Sequence, residues 1–219
     1  MIVLDLFSGT GSSTQAFEDA GHEVFRVELG THHEADLYAD IAELSVYDLI
    51  RLCDGRPDFV WASPPCTAFS VASIGTHWGG GHRAYEPRTE LARSSQVLVA
   101  HTLDLIRELD PEYWLMENPR GVLRKLPVMA GLQRWTVTYC AYGDERMKPT
   151  DLWGKMPDSW VPRPMCKNGA SCHVAAPRGS KTGTQGRKGA VDRSRVPLEL
   201  SRVVLGAVTI TPLRESVCE

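Results

Sequence analysis

The hydrophobic and polar positions of the chain fall into short apolar runs separated by longer amphipathic stretches. Apolar runs typical of buried strands cover residues 2–7, 23–29, 38–41, 58–63, 113–116 and 135–140. Apolar positions at helical spacing cover residues 12–20, 44–52, 90–109 and 198–208. Because the two kinds of stretch alternate, the pattern predicts an α/β fold.

The stretch 58–70, DFVWASPPCTAFS, combines a buried strand with an abrupt exit. Pro64 and Pro65 stiffen the backbone directly before Cys66 and aim its side chain reproducibly. Cys66 is therefore expected at the carboxyl edge of the sheet, where open α/β sheets bind ligands, and it is a candidate nucleophile. The alternative is a small buried apolar residue, since free cysteine is among the most buried residue types.

A strand, a glycine turn and a helix open the chain. Gly9 and Gly11 let the backbone pass close to a ligand, and Thr10 or Ser12 can cap the helix. Glu28, near the end of the second strand, is placed to accept hydrogen bonds from ribose hydroxyls. Nicotinamide and S-adenosylmethionine sites share this arrangement, and the missing third glycine disfavours a pyrophosphate ligand.

Acidic side chains also stand at later strand ends. Asp40, at the tip of the third strand, can bind an adenine amino group, or it can simply cap the turn at residues 41–43. Glu117 and Asn118 leave an apolar strand at the sheet edge expected for Cys66. A carboxyl group in such a place is partly shielded from water, which makes it a useful proton donor near neutrality.

Basic side chains are concentrated in the last third of the chain. Arg146 and Lys148 alternate, so in extended backbone they share one face and suit an anion or a base edge. Residues 161–195 hold eight Lys or Arg and one acid, Asp192, so this segment carries +7 and the rest −10 of the net charge of −3. The segment is either a solvated loop or a phosphate-binding surface.

The segment 73–88 is rich in glycine and directly follows the candidate nucleophile. Its composition predicts a mobile lid that closes over substrate and excludes water. We interpret His77 and His82 as ordinary loop residues and His101 as an ordinary helix residue.

The six cysteines are scattered, so reduced thiols are expected rather than a disulfide framework. Cys166, Cys172 and His173 place three potential zinc ligands within eight residues. We nevertheless expect no metal site, because there is no C-x-x-C pair and no fourth ligand stands nearby in the sequence.

The composition suits a soluble protein with one sizeable core. The chain has 219 residues, of which 42% are hydrophobic and 23% charged. No run approaches the roughly 18 apolar residues of a membrane span, and the amino terminus has no basic region or cleavage pattern. We expect a cytoplasmic protein with no membrane partner.

Four motifs, LDLFSGTGSST, PPCTAFS, LMENP and YGDERMK, occur in this order, and RVPLEL follows near the end. Together they resemble the DNA cytosine carbon-5 methyltransferases over about residues 2–153 and the RVPLEL segment. The resemblance implies a doubly wound, Rossmann-like methyltransferase sheet, S-adenosylmethionine as methyl donor, and a cytosine flipped out of duplex DNA. The short chain looks like the compact, stand-alone methylases of phages and mobile elements.

The resemblance also assigns site residues. It places Phe7, Gly9, Gly11, Glu28, Asp40 and Ile41 at the cofactor, and it assigns catalysis to Pro65, Cys66, Glu117, Asn118, Arg146 and Lys148. The Cys66 thiolate would add to carbon 6 of cytosine, while Glu117 would protonate or hydrogen-bond ring nitrogen 3. Arg146 and Lys148 would steady the flipped base.

The sequence departs from the family pattern in single residues and in length. Thr67 and Asp144 stand where glutamine is usual, Lys148 replaces arginine, and Pro119 replaces valine. The target-recognition insert is much reduced. The expected division is a catalytic domain at 1–148, a small basic recognition segment at 149–192 and a carboxyl-terminal helix at 193–219, in a monomer that acts on duplex DNA.

Other functions fit parts of the same pattern. Cytosine methylation of RNA would use the same chemistry. A noncatalytic module that binds cofactor or nucleic acid would leave Cys66 and Glu117 unexplained. An NAD-dependent oxidoreductase would use the glycine turn and Glu28, but it gives no reason for the PPC, ENP and RMK motifs in series.

Overall fold

A seven-stranded sheet organises the residues that the computed structural model describes, which are 1–80, 85–175 and 189–210. Its strands are β1 (Ile2–Leu6), β2 (Glu23–Glu28), β3 (Leu37–Tyr38), β4 (Phe59–Ala62), β7 (Tyr113–Pro119), β8 (Arg134–Thr138) and β9 (Pro149–Lys155). A separate two-stranded ribbon consists of β5 (Trp78–Gly79) and β6 (Glu86–Pro87). The helices are α1 (Gln15–Asp19), α2 (Val46–Leu52), α3 (Ile74–His77), α4 (Glu90–Leu109), α5 (Ala190–Ser194) and α6 (Leu198–Ile210).

The strand order is β3-β2-β1-β4-β7-β9-β8, and the first five of these strands are parallel. β9 lies antiparallel between β7 and β8. The chain winds outward from β1 through β2 to β3 and then crosses to β4 on the other side of β1. The order of strands therefore reverses between β1 and β4, and ligands of open α/β sheets bind beyond the carboxyl ends of strands at such a point.

Both faces of the sheet are covered, which explains why its strands are unbroken apolar runs. In β1, Val3 packs into a core layer with residues of α6, whereas Leu4 and Leu6 pack into the opposite layer with residues of α4. Phe59 and Val60 of β4 divide in the same way, as the two-residue period of a strand requires. These layers confirm the predicted doubly wound α/β class.

The long helix α4 has the predicted bounds of 90–109. Thr89 caps its first turn by accepting a hydrogen bond from the backbone N–H of Ala92 at 3.2 Å. Asp110 ends it in the left-handed region with φ of 49°. None of the helices in the described ranges combines the length and the hydropathy that a membrane span requires.

No strand is predicted from the sequence within the recognition segment 149–192, yet its first seven residues form β9 inside the sheet. Gly154 makes this position possible, because a Cβ there would collide with the backbone carbonyl of Trp114 on β7. Leu152 and Trp153 are fully buried on opposite faces. The recognition segment expected from the sequence therefore begins with a strand that pairs on both sides, with β7 and with β8.

Three shorter elements also differ from expectation. The first helix begins at Gln15 rather than residue 12, and the third strand ends at Tyr38. Within the predicted glycine-rich lid, Trp78 is buried against Phe69 and its indole N–H donates to the carbonyl of Ala68 at 2.6 Å, while the mobility of the lid stays a prediction. The rest of that lid, 81–84 with His82, lies outside the described residues, as do 176–188 and 211–219.

Candidate active site

The turn that follows β1 has an unusual backbone conformation and leaves free space beside Gly9. Phe7, Gly9 and Gly11 all have positive φ, at 62°, 51° and 69°. A Cβ at Gly9 would meet no atom within 4 Å, and the Gly9 N–H donates to the Glu28 carboxylate at 2.8 Å. The turn is thus hydrogen-bonded to the carboxylate at the end of β2, and ribose binding by Glu28 stays a prediction.

Asp5 lies directly under this turn and was not singled out in the sequence. Its buried carboxylate accepts hydrogen bonds from the hydroxyls of Ser13 and Thr14, at 2.7 and 2.8 Å. Burial raises the pKa of Asp5 to about 6 against an ordinary value of 3.8, although the two hydroxyls oppose the rise. Thr14 precedes α1 at the N-cap position, and no side chain caps the helix, so the predicted cap by Thr10 or Ser12 is wrong.

Asp40 has the capping role that was the alternative to adenine binding. Its carboxylate accepts the N–H of Ala42 at 2.9 Å and begins a short 3-10 helix at Ile41–Glu43. The side chain of Ile41 is buried in the core layer that contains α4. A cofactor role for either residue stays a prediction.

The segment that carries Cys66 is tied by one contact to β7 and by two contacts to the residues that directly follow β7. Asn118 Nδ2 donates to the carbonyl of Pro64 at 2.8 Å. Further along, Ser70 and Gly121 form a β-bridge, and Val122 N–H donates to the carbonyl of Phe69 at 2.8 Å. The strand ends that bear the candidate nucleophile and the candidate acid are therefore held together, as the sequence predicted.

Glu117 lies within β7 rather than after it, and only 5% of its surface is exposed. The Tyr139 hydroxyl donates to Glu117 Oε1 at 2.8 Å, and Lys148 Nζ lies 3.8 Å from the same oxygen. Lys148 also sits over the Tyr139 ring, 4.4 Å from its centroid. Burial and the Glu117 charge raise the pKa of the Tyr139 phenol well above its ordinary range, so the hydroxyl stays a donor.

The electrostatics of Cys66 link it to the same cluster. Burial raises the pKa of its thiol, and the Glu117 carboxylate raises it further. Lys148 and Arg193 act in the opposite direction. The resting side chain is thus a thiol rather than a thiolate near neutral pH, and positive charge nearby favours its ionisation.

Arg146 and Lys148 lie outside the strands, just before β9, and both side chains contact α5. Arg146 donates to the carbonyl of Asp192 at 2.6 Å, and Lys148 donates to the carbonyl of Arg193 at 3.2 Å. The remaining nitrogens of Arg146 donate to the Asp144 carboxylate. Asp144, which replaces the usual glutamine, therefore holds the guanidinium in place.

A cleft of about 710 Å³ opens beside the glycine turn. Thr10 and Ser12 line one side of it, and Asp144 and Arg146 line the other. Within the described part of the chain, its lining does not include Cys66 or Glu117. The cleft thus lies between the glycine turn and the motif that contains Arg146, while the candidate catalytic residues Cys66 and Glu117 lie outside it.

Tyr139 and Asp5 are the side chains that sequence reasoning missed. Each lies in or beside an apolar strand, and the sequence around it does not indicate which residue its polar group will hydrogen-bond. Only the pairing of β7, β8 and β9 brings Tyr139 to Glu117.

Comparison with known proteins gives consistent findings. The profile of the family described as C-5 cytosine-specific DNA methylase matches residues 1–127. A frog virus 3 protein named "Probable DNA (cytosine-5)-methyltransferase" is 31% identical over 209 residues, which cover 89% of this chain and 93% of that protein. The type II methyltransferase M1.HphI of Haemophilus parahaemolyticus is 32% identical over 129 residues, but the match spans only 31% of its length.

Solved structures share the fold at low sequence identity. The Entamoeba histolytica methyltransferase EhMeth aligns with 76% of this chain at a TM-score of 0.54 and 12% identity. A "putative DNA modification methyltransferase encoded within prophage" of E. coli aligns with 70% at a TM-score of 0.52 and 20% identity. The chain spans about half of each, 57% and 46% respectively.

Proposed function

Because this chain belongs to the C-5 cytosine-specific DNA methylase family, we propose that it transfers a methyl group from S-adenosylmethionine to carbon 5 of cytosine in duplex DNA. The transfer proceeds through a covalent Cys66 adduct on a base flipped out of the helix. The observation that carries the proposal is the link between the Cys66 segment and β7, made by the hydrogen bond of Asn118 to Pro64. That link holds a nucleophile beside the buried Glu117–Tyr139–Lys148 cluster.

The residues around the first turn fit the methyl donor. Gly9 leaves the backbone open to a ligand, because a Cβ there would meet no atom within 4 Å, whereas the space beside Gly11 is taken by the Arg26 side chain. In this proposal Glu28, which already accepts the Gly9 N–H, also accepts hydrogen bonds from the ribose hydroxyls. Phe7, Asp40 and Ile41 complete the proposed cofactor set. When bound, S-adenosylmethionine supplies an electrophilic methyl group.

Cys66 makes carbon 5 reactive. Its thiol loses a proton to solvent, and the thiolate forms a bond to carbon 6 of cytosine while the electron pair of the double bond between carbons 5 and 6 shifts toward carbon 5. Glu117 takes up a proton and donates it, or a strong hydrogen bond, to ring nitrogen 3, which offsets the negative charge. After the methyl group has moved to carbon 5, nitrogen 3 returns its proton to Glu117 and carbon 5 gives its own proton to solvent. The electron pair left on carbon 5 restores the double bond as the bond between carbon 6 and sulfur breaks, and Cys66 is released as thiolate.

The positive charge of Lys148 supports the first step, because it opposes the rise in the pKa of Cys66 and so favours the thiolate. Its Nζ also lies 3.8 Å from the Glu117 carboxylate. In this proposal Arg146, which Asp144 holds in place, steadies the flipped base together with Lys148, and Pro65 belongs to the motif that presents Cys66. In this proposal Asn118 positions the Cys66 segment rather than contacting the reacting atoms.

DNA binding is assigned to the basic segment and its surroundings. The segment 161–195 carries +7, which suits contacts to phosphates that hold duplex DNA without reading its sequence. A recognition element of this length suits a short target of about two to four bases. Its residues 176–188 lie outside the described part of the chain. We propose that the enzyme acts as a monomer.

Transfer of a labelled methyl group from S-adenosylmethionine tests the proposal. Duplex DNA and transfer RNA are offered in parallel, and bisulfite sequencing maps the modified bases. We expect label in 5-methylcytosine of the duplex within a short, fixed context. Label in the RNA alone would support RNA methylation, and no label in either would support a noncatalytic binding module.

A further inference from the structure

Four metal-binding side chains converge at the edge of the sheet beyond the catalytic cluster. They are Cys140, Cys166, Cys172 and His173, and one ligand atom of each lies within 4.8 Å of all the others. The sequence offered three of them close together, and the fourth, Cys140, stands 26 residues before Cys166. The absence of a nearby fourth ligand was the reason to expect no metal, and the fold supplies that ligand.

The separations suit a tetrahedral ion. The sulfurs of Cys166 and Cys172 lie 3.1 Å apart, and His173 Nδ1 lies 3.7 and 3.5 Å from them. A tetrahedron with Zn–S bonds of about 2.3 Å has edges of about 3.7 Å, so only small shifts would centre an ion. All three cysteines are free thiols, and His173 Nε2 has no hydrogen-bond partner among the described residues.

The surrounding backbone holds these ligands in place. Cys140 is buried in the short 3-10 helix Tyr139–Tyr142 that follows β8. The N–H of Cys166 donates to Thr138 Oγ1 at 2.9 Å, and the N–H of Val174 donates to the carbonyl of Glu145 at 3.0 Å. The loop between Cys166 and Cys172 turns at Gly169, whose φ is 87°. Both ends of the loop are thus hydrogen-bonded to residues on either side of Tyr139, namely Thr138 and Glu145.

We propose that Cys140, Cys166, Cys172 and His173 bind one Zn²⁺ ion. Three thiolates and an imidazole are the soft, tetrahedral set that zinc prefers, and four protein ligands leave no open position for catalysis. The site is therefore structural. It fastens the start of the basic segment to the residue that follows Tyr139, and so fixes that segment beside the catalytic cluster.

Metal analysis of the full chain tests the site independently of activity. Protein purified without a polyhistidine tag and without chelator is expected to contain about one zinc per chain by mass spectrometry of the metal. Cys172→Ser and His173→Ala should lose most of it. Ser171→Ala, which alters an exposed neighbour in the same loop, should keep it.

Two further measurements keep the test decisive if a variant folds poorly. Chelated parent protein titrated with Co²⁺ alone should show the visible bands of tetrahedral thiolate-bound cobalt. Trypsin should cleave after Lys167 roughly tenfold faster once zinc is removed, because the metal closes that loop. Iron or copper in place of zinc, a Cys166–Cys172 disulfide in fresh protein, or failure of the parent chain to bind added Zn²⁺ would overturn the proposal.

Discussion

Replacing Asp5 by asparagine tests how the fold supports the cofactor turn. The carboxyl group is fully buried, and its pKa of about 6 exceeds the ordinary value of 3.8. At about 1.4 kcal/mol per pH unit, the folded protein favours the protonated form by about 3 kcal/mol. A group whose pKa is higher in the folded state holds a proton that the unfolded chain has lost. Stability therefore falls as pH rises from about 4 to about 6 and is constant above that range.

Urea unfolding of the parent and Asp5→Asn between pH 4.5 and 7.5 measures this effect. About 2 kcal/mol of the total change of about 3 kcal/mol in the free energy of unfolding occurs between pH 4.5 and 7.5. The parent should lose this amount relative to the variant as pH rises, whatever fixed cost the buried amide adds. Asp19→Asn, which removes an exposed carboxylate from α1, is the control and should follow the parent. Parallel curves for parent and Asp5→Asn would refute the argument.

Three other predictions follow from named contacts. Gly154→Ala should destabilise the protein by roughly 3 kcal/mol or more in thermal unfolding, because its Cβ meets the backbone of β7. The control Gly206→Ala, in the open part of α6, should stabilise the protein by roughly 0.5–1 kcal/mol. Equal effects of the two substitutions would contradict the close packing described at Gly154. Glu117→Gln should slow methyl transfer ~10²–10⁴-fold with little change in cofactor affinity. Glu28→Ala should instead weaken cofactor affinity with a smaller effect on the rate of methyl transfer, and the control Glu23→Ala should change neither. A loss of cofactor affinity in both Glu117→Gln and Glu28→Ala would place Glu117 in the cofactor site. The rate of adduct formation should rise from pH 7 to 9 as the Cys66 thiol ionises. Lys148→Met should move this pH–rate profile to higher pH, whereas Lys148→Arg, which keeps the positive charge, should not. A rate that does not change with pH would argue against a resting thiol.

The sequence predicted the parts of the site that depend on strand ends. Gly9, Glu28, Cys66 and Glu117 each follow or end an apolar run, and parallel strands deliver such residues to one edge. The order of strands alone is enough to bring Cys66 and Glu117 to the same edge, whatever contacts their side chains make.

Other features depended on pairings that no local pattern reveals. Residues 149–155 contain a proline and a glycine, and no strand is predicted there, yet the close approach at Gly154 lets them pair as β9 between β7 and β8. Cys140 joins Cys166 only because β8 returns to the same edge of the sheet as the later loop. Tyr139 is directed at Glu117 by the same pairing.

The central claim is that Cys66 is the residue that bonds to cytosine. Duplex DNA that contains 5-fluorocytosine cannot release the carbon-5 substituent, so it should trap the enzyme in the presence of S-adenosylmethionine. Peptide mass spectrometry of the trapped complex should find the nucleotide on Cys66. Cys66→Ala should form no complex while still binding the methyl donor, and Cys53→Ala, which alters a buried cysteine of the core, should form it. An adduct on any other residue, or a complex that persists in Cys66→Ala, would contradict the mechanism.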